Sequence, residues 1–142
     1  MNKEYDIIVY GATGFTGQLI CEYLSQHKDI SNFKWGIAGR DKLKLEKLSN
    51  RYDLNIFVAD SFNLPSLDNF TSQSKLVIST VGPYSLYGKK LVESCVNNQC
   101  HYLDLTGEPE FVNFVENNFS KEAQDKNVIL INCCGFESIP PD

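Results

Sequence analysis

The sequence is poor in the residues that build metal centres and disulfide frameworks. It has two histidines and five cysteines in 142 residues, and no two cysteines show the C-x-x-C spacing of zinc and redox sites. The histidines, His27 and His101, lie at no ligand-like spacing from each other or from the cysteines. We therefore expect no metal site, and we expect the cysteines to be reduced thiols, some of them in the core.

Long apolar runs are also missing. No segment approaches the roughly 20 apolar residues that cross a bilayer, and residues 1–6 lead into a strand pattern without the layout of a signal peptide. The formal net charge of −5 disfavours nonspecific attraction to nucleic acid or to anionic membranes. These features predict a cytoplasmic protein with no transmembrane segment and no nucleic-acid partner.

What the sequence does contain is an alternation of short apolar runs and amphipathic segments. Because strands that alternate with helices form βαβ units, we predict a Rossmann-type, doubly wound α/β domain with a parallel sheet of about six strands in the order 3-2-1-4-5-6. The length suits a single domain over residues 1–142. The predicted strands cover residues 6–10, 33–38, 55–59, 75–80, 101–105 and 128–132.

Amphipathic segments between these runs predict the helices. Residues 15–27, a segment capped by Asp41, and residues 87–97 and 110–126 have helical periodicity, whereas residues 61–73 read as a loop with a short helix. On the first helix we expect one apolar face to turn towards the core. That face consists of Phe15, Leu19, Ile20, Tyr23 and Leu24.

A glycine pattern, G-x-x-G-x-x-G, lies at residues 11–17, between the first strand and the first helix. Glycines at such a junction permit a tight turn and let backbone amides approach a pyrophosphate, which the helix N-terminus also attracts. The alternative is a glycine turn that serves packing alone. Under the first interpretation, a dinucleotide is held by Gly11, Thr13, Gly14, Phe15, Thr16 and Gly17.

The end of the second strand indicates which dinucleotide is bound. NAD-binding proteins place an acidic residue there to accept a hydrogen bond from the ribose 2′-hydroxyl, but this chain has Arg40. A guanidinium can bind a 2′-phosphate through two hydrogen bonds, so we predict NADP(H) in preference to NAD(H). Asp41 is assigned to the helix cap, and the alternative for Arg40 is a solvated surface arginine.

Two other strand ends supply candidate cofactor contacts. Asp60 follows the third strand, where it either accepts from the adenine amino group or serves as a turn residue. Tyr84 follows the fourth strand and either packs near the nicotinamide or is a partly buried aromatic. Residues 80–84 should lie beside the pyrophosphate and ribose, since Gly82 and Pro83 suit a loop that a ligand approaches closely.

Candidates for proton transfer are weak. Asp104 and Glu108 lie near the end of the fifth strand, but we favour roles for them as loop and cap carboxylates. None of the seven tyrosines has a lysine four residues on, which disfavours the Tyr-x-x-x-Lys proton transfer of short-chain dehydrogenases.

Together these segments resemble the saccharopine dehydrogenase-like oxidoreductases, including the trans-acting enoyl reductase group. The resemblance covers nearly the whole chain and rests on five motifs. They are Gly-Ala-Thr-Gly-Phe-Thr-Gly at 11–17, Ala-Gly-Arg at 38–40, Thr-Val-Gly-Pro-Tyr-Ser-Leu-Tyr-Gly at 80–88, His-Tyr-Leu-Asp-Leu-Thr-Gly-Glu at 101–108 and Cys-Gly-Phe-Glu-Ser-Ile-Pro-Pro-Asp at 134–142.

The resemblance implies an NADP-binding domain in which Gly11, Gly14, Gly17 and Arg40 hold the cofactor. It implies that Thr80, Gly82 and Pro83 line the cofactor, and that residues 101–108 and 135–140 lie near a cleft between two domains. Glu137 and Pro141 depart from the Gly-Phe-Asp-Ser-x-Pro-Ser-Asp pattern that relatives often show.

The resemblance also implies a second, substrate-binding domain, for which 142 residues leave no room. We therefore expect a truncated or excised cofactor half, which would meet a small-molecule substrate only if the rest is supplied. The alternatives are a non-catalytic nucleotide-binding or redox-sensing module and a structural subunit that docks on a partner chain. A homo-dimer is left open.

Overall fold

The computed structural model of the chain describes residues 2–134, and the predicted loop at 135–140, with Glu137 and Pro141, lies outside them. Six parallel strands form one sheet in the order β3-β2-β1-β4-β5-β6. This confirms the fold class and strand order predicted from the sequence. The strands are β1 (Tyr5–Tyr10), β2 (Trp35–Gly39), β3 (Ile56–Val58), β4 (Ser74–Ser79), β5 (His101–Asp104) and β6 (Leu130–Ile131).

Helices cover both faces of the sheet. None of those in residues 2–134 is long and apolar enough to span a membrane. The helix predicted over 87–97 begins at Lys89, and a separate short helix over Tyr84–Tyr87 precedes it, with Gly88 between the two. The polar stretch 61–73 contains a helix capped by the Asn63 side chain. The helices are α1 (Phe15–Gln26), α2 (Lys42–Tyr52), α3 (Leu64–Thr71), α4 (Tyr84–Tyr87), α5 (Lys89–Asn97) and α6 (Pro109–Asp125).

The central strand β1 divides the core into two layers. Ile8 and Tyr10 point into the larger cluster with side chains of α3, α5 and α6. Val9 points the other way, where it packs with Cys21 of α1 and Leu45 of α2. Because both faces are covered, the strand is an almost continuous apolar run rather than an alternating one.

The prediction of which α1 residues face the core is wrong in part. Phe15, Leu19 and Tyr23 are 82%, 50% and 66% exposed, while the buried residues of this helix are Gly17 and Cys21. A Cβ on Gly17 would lie only 2.1 Å from the Gly11 carbonyl oxygen. The helix lies so close to the end of β1 that small residues must face the strand, which turns the larger apolar side chains outward.

Candidate functional site

A cleft of about 460 Å³ opens at the carboxyl ends of β1 to β4. After β3 the chain crosses back to place β4 on the other side of β1, so the connections leaving β1 and β4 diverge at this edge. Such a switch point is where open α/β sheets bind ligands. The cleft is lined by Tyr10, Gly11, Thr13, Gly14, Gly39, Arg40, Asp41, Lys44, Asp60, Ser61, Phe62, Thr80, Val81, Gly82 and Tyr87.

Gly11 begins the loop in a backbone conformation that suits glycine, with φ +83°. A Cβ there would come within 2.5 Å of the Thr80 hydroxyl oxygen and 2.6 Å of the Val81 Cγ2. That hydroxyl lies within donating distance of the carbonyl oxygens of Tyr10, at 3.0 Å, and Gly11, at 3.1 Å. Thr80 therefore holds the ends of β1 and β4 together beneath the cleft.

The first turn of α1 presents its amides without a side-chain cap. Gly14, the N-cap residue, supplies no side-chain cap, and the first turn of the helix contains no acidic residue. A Cβ at Gly14 would have the Gly11 carbonyl oxygen, 3.5 Å away, as its nearest contact. This end of α1 therefore offers unpaired N–H groups and the positive end of the helix dipole to an anion.

Four of the predicted site residues do not line the cleft with their side chains. Phe15 is turned to solvent, and neither Phe15 nor Thr16, the first two residues of α1, is among the residues that line the cleft. Gly17 lies under the loop, where it permits the close approach of α1 to β1. Pro83 follows a cis peptide bond and is the N-cap residue of α4.

Two cations lie at the β2 end of the cleft. Arg40 and Lys44 are both exposed, and neither forms an ion pair with any residue in the described range 2–134. The nearby Asp41 carboxylate accepts a hydrogen bond of 3.1 Å from the Lys44 amide, which confirms its role as the cap of α2. Lys44 was not identified from the sequence, although its place three residues after a helix cap directs it to the same strand end.

A turn after β3, the strand next to β2, forms another wall of the cleft. The Asp60 Oδ1 atom accepts a hydrogen bond of 2.7 Å from the Phe62 amide, and the Ser61 hydroxyl bonds the Tyr10 hydroxyl at 2.6 Å. Asp60 thus serves the turn with one carboxylate oxygen while it lines the cleft. Phe62 and Tyr87, which also line the cleft, were not identified from the sequence.

Asp104 is fully buried and holds the ends of β5 and β6 together. Its Oδ2 accepts a hydrogen bond from the Tyr102 hydroxyl at 2.5 Å and one from the side-chain amide of Asn132 at 2.8 Å. Its Oδ1 accepts from the backbone amides of Thr106 and Cys133, both at 3.1 Å. A carboxylate surrounded by four donors within the protein acts as a structural acceptor, as the loop interpretation predicted.

Glu108 caps the short helix α4. Its two carboxylate oxygens accept from the Tyr84 amide at 2.6 Å, the Ser85 amide at 3.1 Å and the Ser85 hydroxyl at 2.5 Å. The Ser85 hydroxyl, followed by these two amides, lowers the pKa of Glu108. An ionised cap is a poor general acid, and this agrees with the cap interpretation.

Tyr84 belongs to the core beneath the cleft. It is 6% exposed, and its hydroxyl donates to the Ser79 carbonyl at 3.1 Å. Burial raises the pKa of Tyr84 to about 12. The structure therefore supports the interpretation of Tyr84 as a buried aromatic.

The sheet order, the switch-point cleft and the uncapped helix end define a dinucleotide-binding domain of the Rossmann type. Residues 7–131 match the family model described as "Saccharopine dehydrogenase NADP binding domain". The chain belongs to this saccharopine dehydrogenase NADP-binding family, as the sequence motifs implied.

Curated relatives extend the match over 99% of the chain. The chain is 35% identical to a Caenorhabditis elegans protein named "Lipid droplet localized protein" and covers 35% of it. It is 32% identical to a mouse "Saccharopine dehydrogenase-like oxidoreductase", of which it covers 36%. It is 34% identical to a "Trans-acting enoyl reductase" of Mycobacterium ulcerans and covers 34% of that protein.

The chain thus spans about a third of the length of these relatives. Among solved structures, saccharopine dehydrogenase from Saccharomyces cerevisiae superposes with a TM-score of 0.77. That match has 16% identity and covers 94% of this chain and 28% of the other. This structural match supports the Rossmann-type fold of the chain.

Proposed function

We propose that this domain binds NADP(H) in preference to NAD(H), with the pyrophosphate at the N-terminus of α1 and the 2′-phosphate between Arg40 and Lys44. The observation that carries the proposal is the pair of cations at the end of β2, which lack an acidic partner among residues 2–134. A 2′-hydroxyl needs an acceptor at this position, whereas a 2′-phosphate needs donors and positive charge.

The remaining predicted contacts follow from this placement of the cofactor. Gly11, Thr13 and Gly14 would lie along the pyrophosphate, and Thr80 and Gly82 would lie along the ribose and nicotinamide. Phe15, Thr16 and Gly17 would contribute through the start of α1, and Pro83 would shape the adjoining loop. In this pose the carboxylate of Asp60 lies on the adenosine side of the cleft.

The reaction that this cofactor supports is hydride transfer, which the nicotinamide supplies when bound. The relatives are named as oxidoreductases or as a reductase, so we extend hydride transfer to the whole protein that contains this domain. Neither Asp104 nor Glu108 is assigned a part in the chemistry, because both carboxylates accept hydrogen bonds within the protein. Substrate contacts are left to the rest of such a protein.

The cellular location of the protein is inferred separately from its cofactor. Because none of the helices in residues 2–134 could span a membrane, we propose that the protein resides in the cytoplasm. The C. elegans relative, however, is named for lipid droplets. Imaging of the tagged protein beside a neutral-lipid dye tests this, and rings of signal around droplets would contradict a purely cytoplasmic location.

Substitution of Arg40 tests the cofactor preference. Since a charge-assisted hydrogen bond is worth about 1.5–3 kcal/mol, Arg40→Ala should raise the Kd for NADPH about 10- to 100-fold and leave the Kd for NADH within about threefold. Lys44→Ala should act in the same direction but less, because an ammonium makes no bidentate contact. Isothermal titration calorimetry measures the Kd of NADPH and of NADH for the native chain and for both variants.

Arg51→Ala is the matched control, because Arg51 is an exposed arginine of α2 whose guanidinium lies over the Tyr52 ring, outside the cleft. It should leave both constants unchanged. If Arg40→Ala loses NADPH affinity and NADH affinity equally, Arg40 does not bind the 2′-phosphate.

A further inference from the structure

An aromatic side chain on the wall of the cleft is more than half exposed to solvent. Phe62 is 54% exposed, whereas the nearest phenylalanines along the chain are buried or partly buried: Phe70 lies in the large core cluster and Phe57 packs against it. Phe62 lines the cleft together with Arg40 and Asp60. A large apolar side chain that faces a ligand cleft offers a flat surface to whatever the cleft holds.

The position of this ring is fixed from two directions. Its backbone amide is held by the Asp60 carboxylate at 2.7 Å, and the turn continues with a hydrogen bond of 3.0 Å from the Asn63 amide to the Asp60 carbonyl. The ring itself leans on Tyr87 of α4, with ring centroids 5.4 Å apart and an angle of 49° between the planes. One side of Phe62 therefore packs against Tyr87, while more than half of the residue's surface stays exposed.

Resting on the proposed function, we propose that Phe62 stacks on the adenine of the bound dinucleotide. β2 and β3 are neighbours in the sheet, so the turn after β3 lies beside Arg40 and Lys44, which follow β2. A 2′-phosphate bound by Arg40 and Lys44 places its adenosine in this part of the cleft. There the base has the ring of Phe62 against its face and the Asp60 carboxylate near its amino edge.

The chemistry of the wall agrees with a base rather than with a sugar or a phosphate. A phenyl ring offers no hydrogen bond to ribose hydroxyls and no charge to a phosphate, but every base has a π-face that stacks on an aromatic side chain. Asp60 and Ser61, which precede the ring, add a carboxylate and a hydroxyl to the same wall. Phe62 is thus a positioning residue for the cofactor.

Binding of 2′,5′-ADP, which contains the adenosine and the 2′-phosphate but no nicotinamide, is the discriminating measurement. Phe62→Ala should raise the Kd of both NADPH and 2′,5′-ADP about tenfold, in keeping with the loss of one stacking contact. Phe62→Trp, which retains a stacking surface, should bind both ligands within about twofold of the native chain. Calorimetry on the chain measures all of these constants.

Phe33→Ala is the matched control, since Phe33 is 47% exposed and does not line the cleft. It should change neither constant, and the thermal melting of each variant confirms that it folds. A Phe62→Ala variant that binds 2′,5′-ADP as tightly as the native chain overturns the stacking role, even if it loses affinity for NADPH. A native chain that binds neither ligand overturns the proposed function as well.

Discussion

At the scale of single residues, the Glu108 carboxylate joins two segments of the cleft edge. It follows β5 in the chain, yet it accepts from the first amides of α4, which follows β4. Asp104, four residues earlier, joins β5 to the end of β6 in the same manner. These carboxylates hold the loops on the proposed nicotinamide side of the cleft through hydrogen bonds.

The Glu108 cap should make stability depend on pH in the acid range. Because the folded-state pKa of Glu108 is lowered from the ordinary value of 4.5, its stabilisation is present above about pH 4.5 and is lost as the pH falls through the lowered pKa. Glu108→Gln should cost about 1 kcal/mol at pH 7 and should flatten this acid dependence.

Urea unfolding of the native and Glu108→Gln chains between pH 3 and pH 7 measures both effects. Glu116→Gln provides the control, since Glu116 is exposed on α6, the helix that directly follows Glu108. If Glu108→Gln loses no more stability than this control and keeps the acid slope, the carboxylate is not a stabilising cap.

At the scale of elements, two glycines at the junction of β1 and α1 have different roles: Gly17 serves packing and Gly14 serves the proposed binding site. A Cβ on Gly17 would lie 2.1 Å from the Gly11 carbonyl oxygen and 2.7 Å from the Ala12 Cα. These are backbone atoms that no side-chain rotation can move away. At Gly14 the nearest atom is 3.5 Å away, which is ordinary contact.

Alanine should therefore affect stability at one position and cofactor binding at the other. Gly17→Ala should destabilise the domain by about 3 kcal/mol, because α1 must shift away from β1. Gly14→Ala should change stability by less than about 1 kcal/mol, but it should weaken NADPH binding because a methyl group reaches the amides at the start of α1. Thermal melting and NADPH titration of both variants separate the effects, and a Gly17→Ala chain as stable as Gly14→Ala would contradict the packing role.

The same junction explains what the sequence could and could not reveal. Strand order and the glycine loop were predictable, because parallel strands bring their carboxyl ends to one edge. The inner face of α1 was not, since the large residues Phe15, Leu19 and Tyr23 dominate the periodicity while the close approach needs small ones. Phe62 belongs to no sequence motif, and Lys44 carries only the indirect signal of its place three residues after the Asp41 cap.

At the scale of the whole molecule, the cleft is built from the ends of four strands that belong to both halves of the sheet. Residues that line it follow β1, β2, β3 and β4, and the two apolar layers pack on opposite faces of the sheet. A ligand in this cleft bridges segments that are far apart in sequence. Binding should therefore stabilise the domain as a unit rather than one loop.

This coupling predicts that NADPH raises the melting temperature of the 142-residue chain. At a free concentration of 100 times its Kd, a ligand that binds only the folded state adds about 2.7 kcal/mol to the free energy of unfolding, which corresponds to roughly 8 °C for a domain of this size. NADH at the same concentration should give a much smaller shift, as should NADPH with Arg40→Ala, because both lack the contact between the 2′-phosphate and Arg40. Differential scanning calorimetry measures the shifts, with sodium phosphate at matched ionic strength as the control for a general anion effect. Equal shifts with NADPH, NADH and phosphate would show that the cleft does not distinguish a 2′-phosphate dinucleotide from other anions.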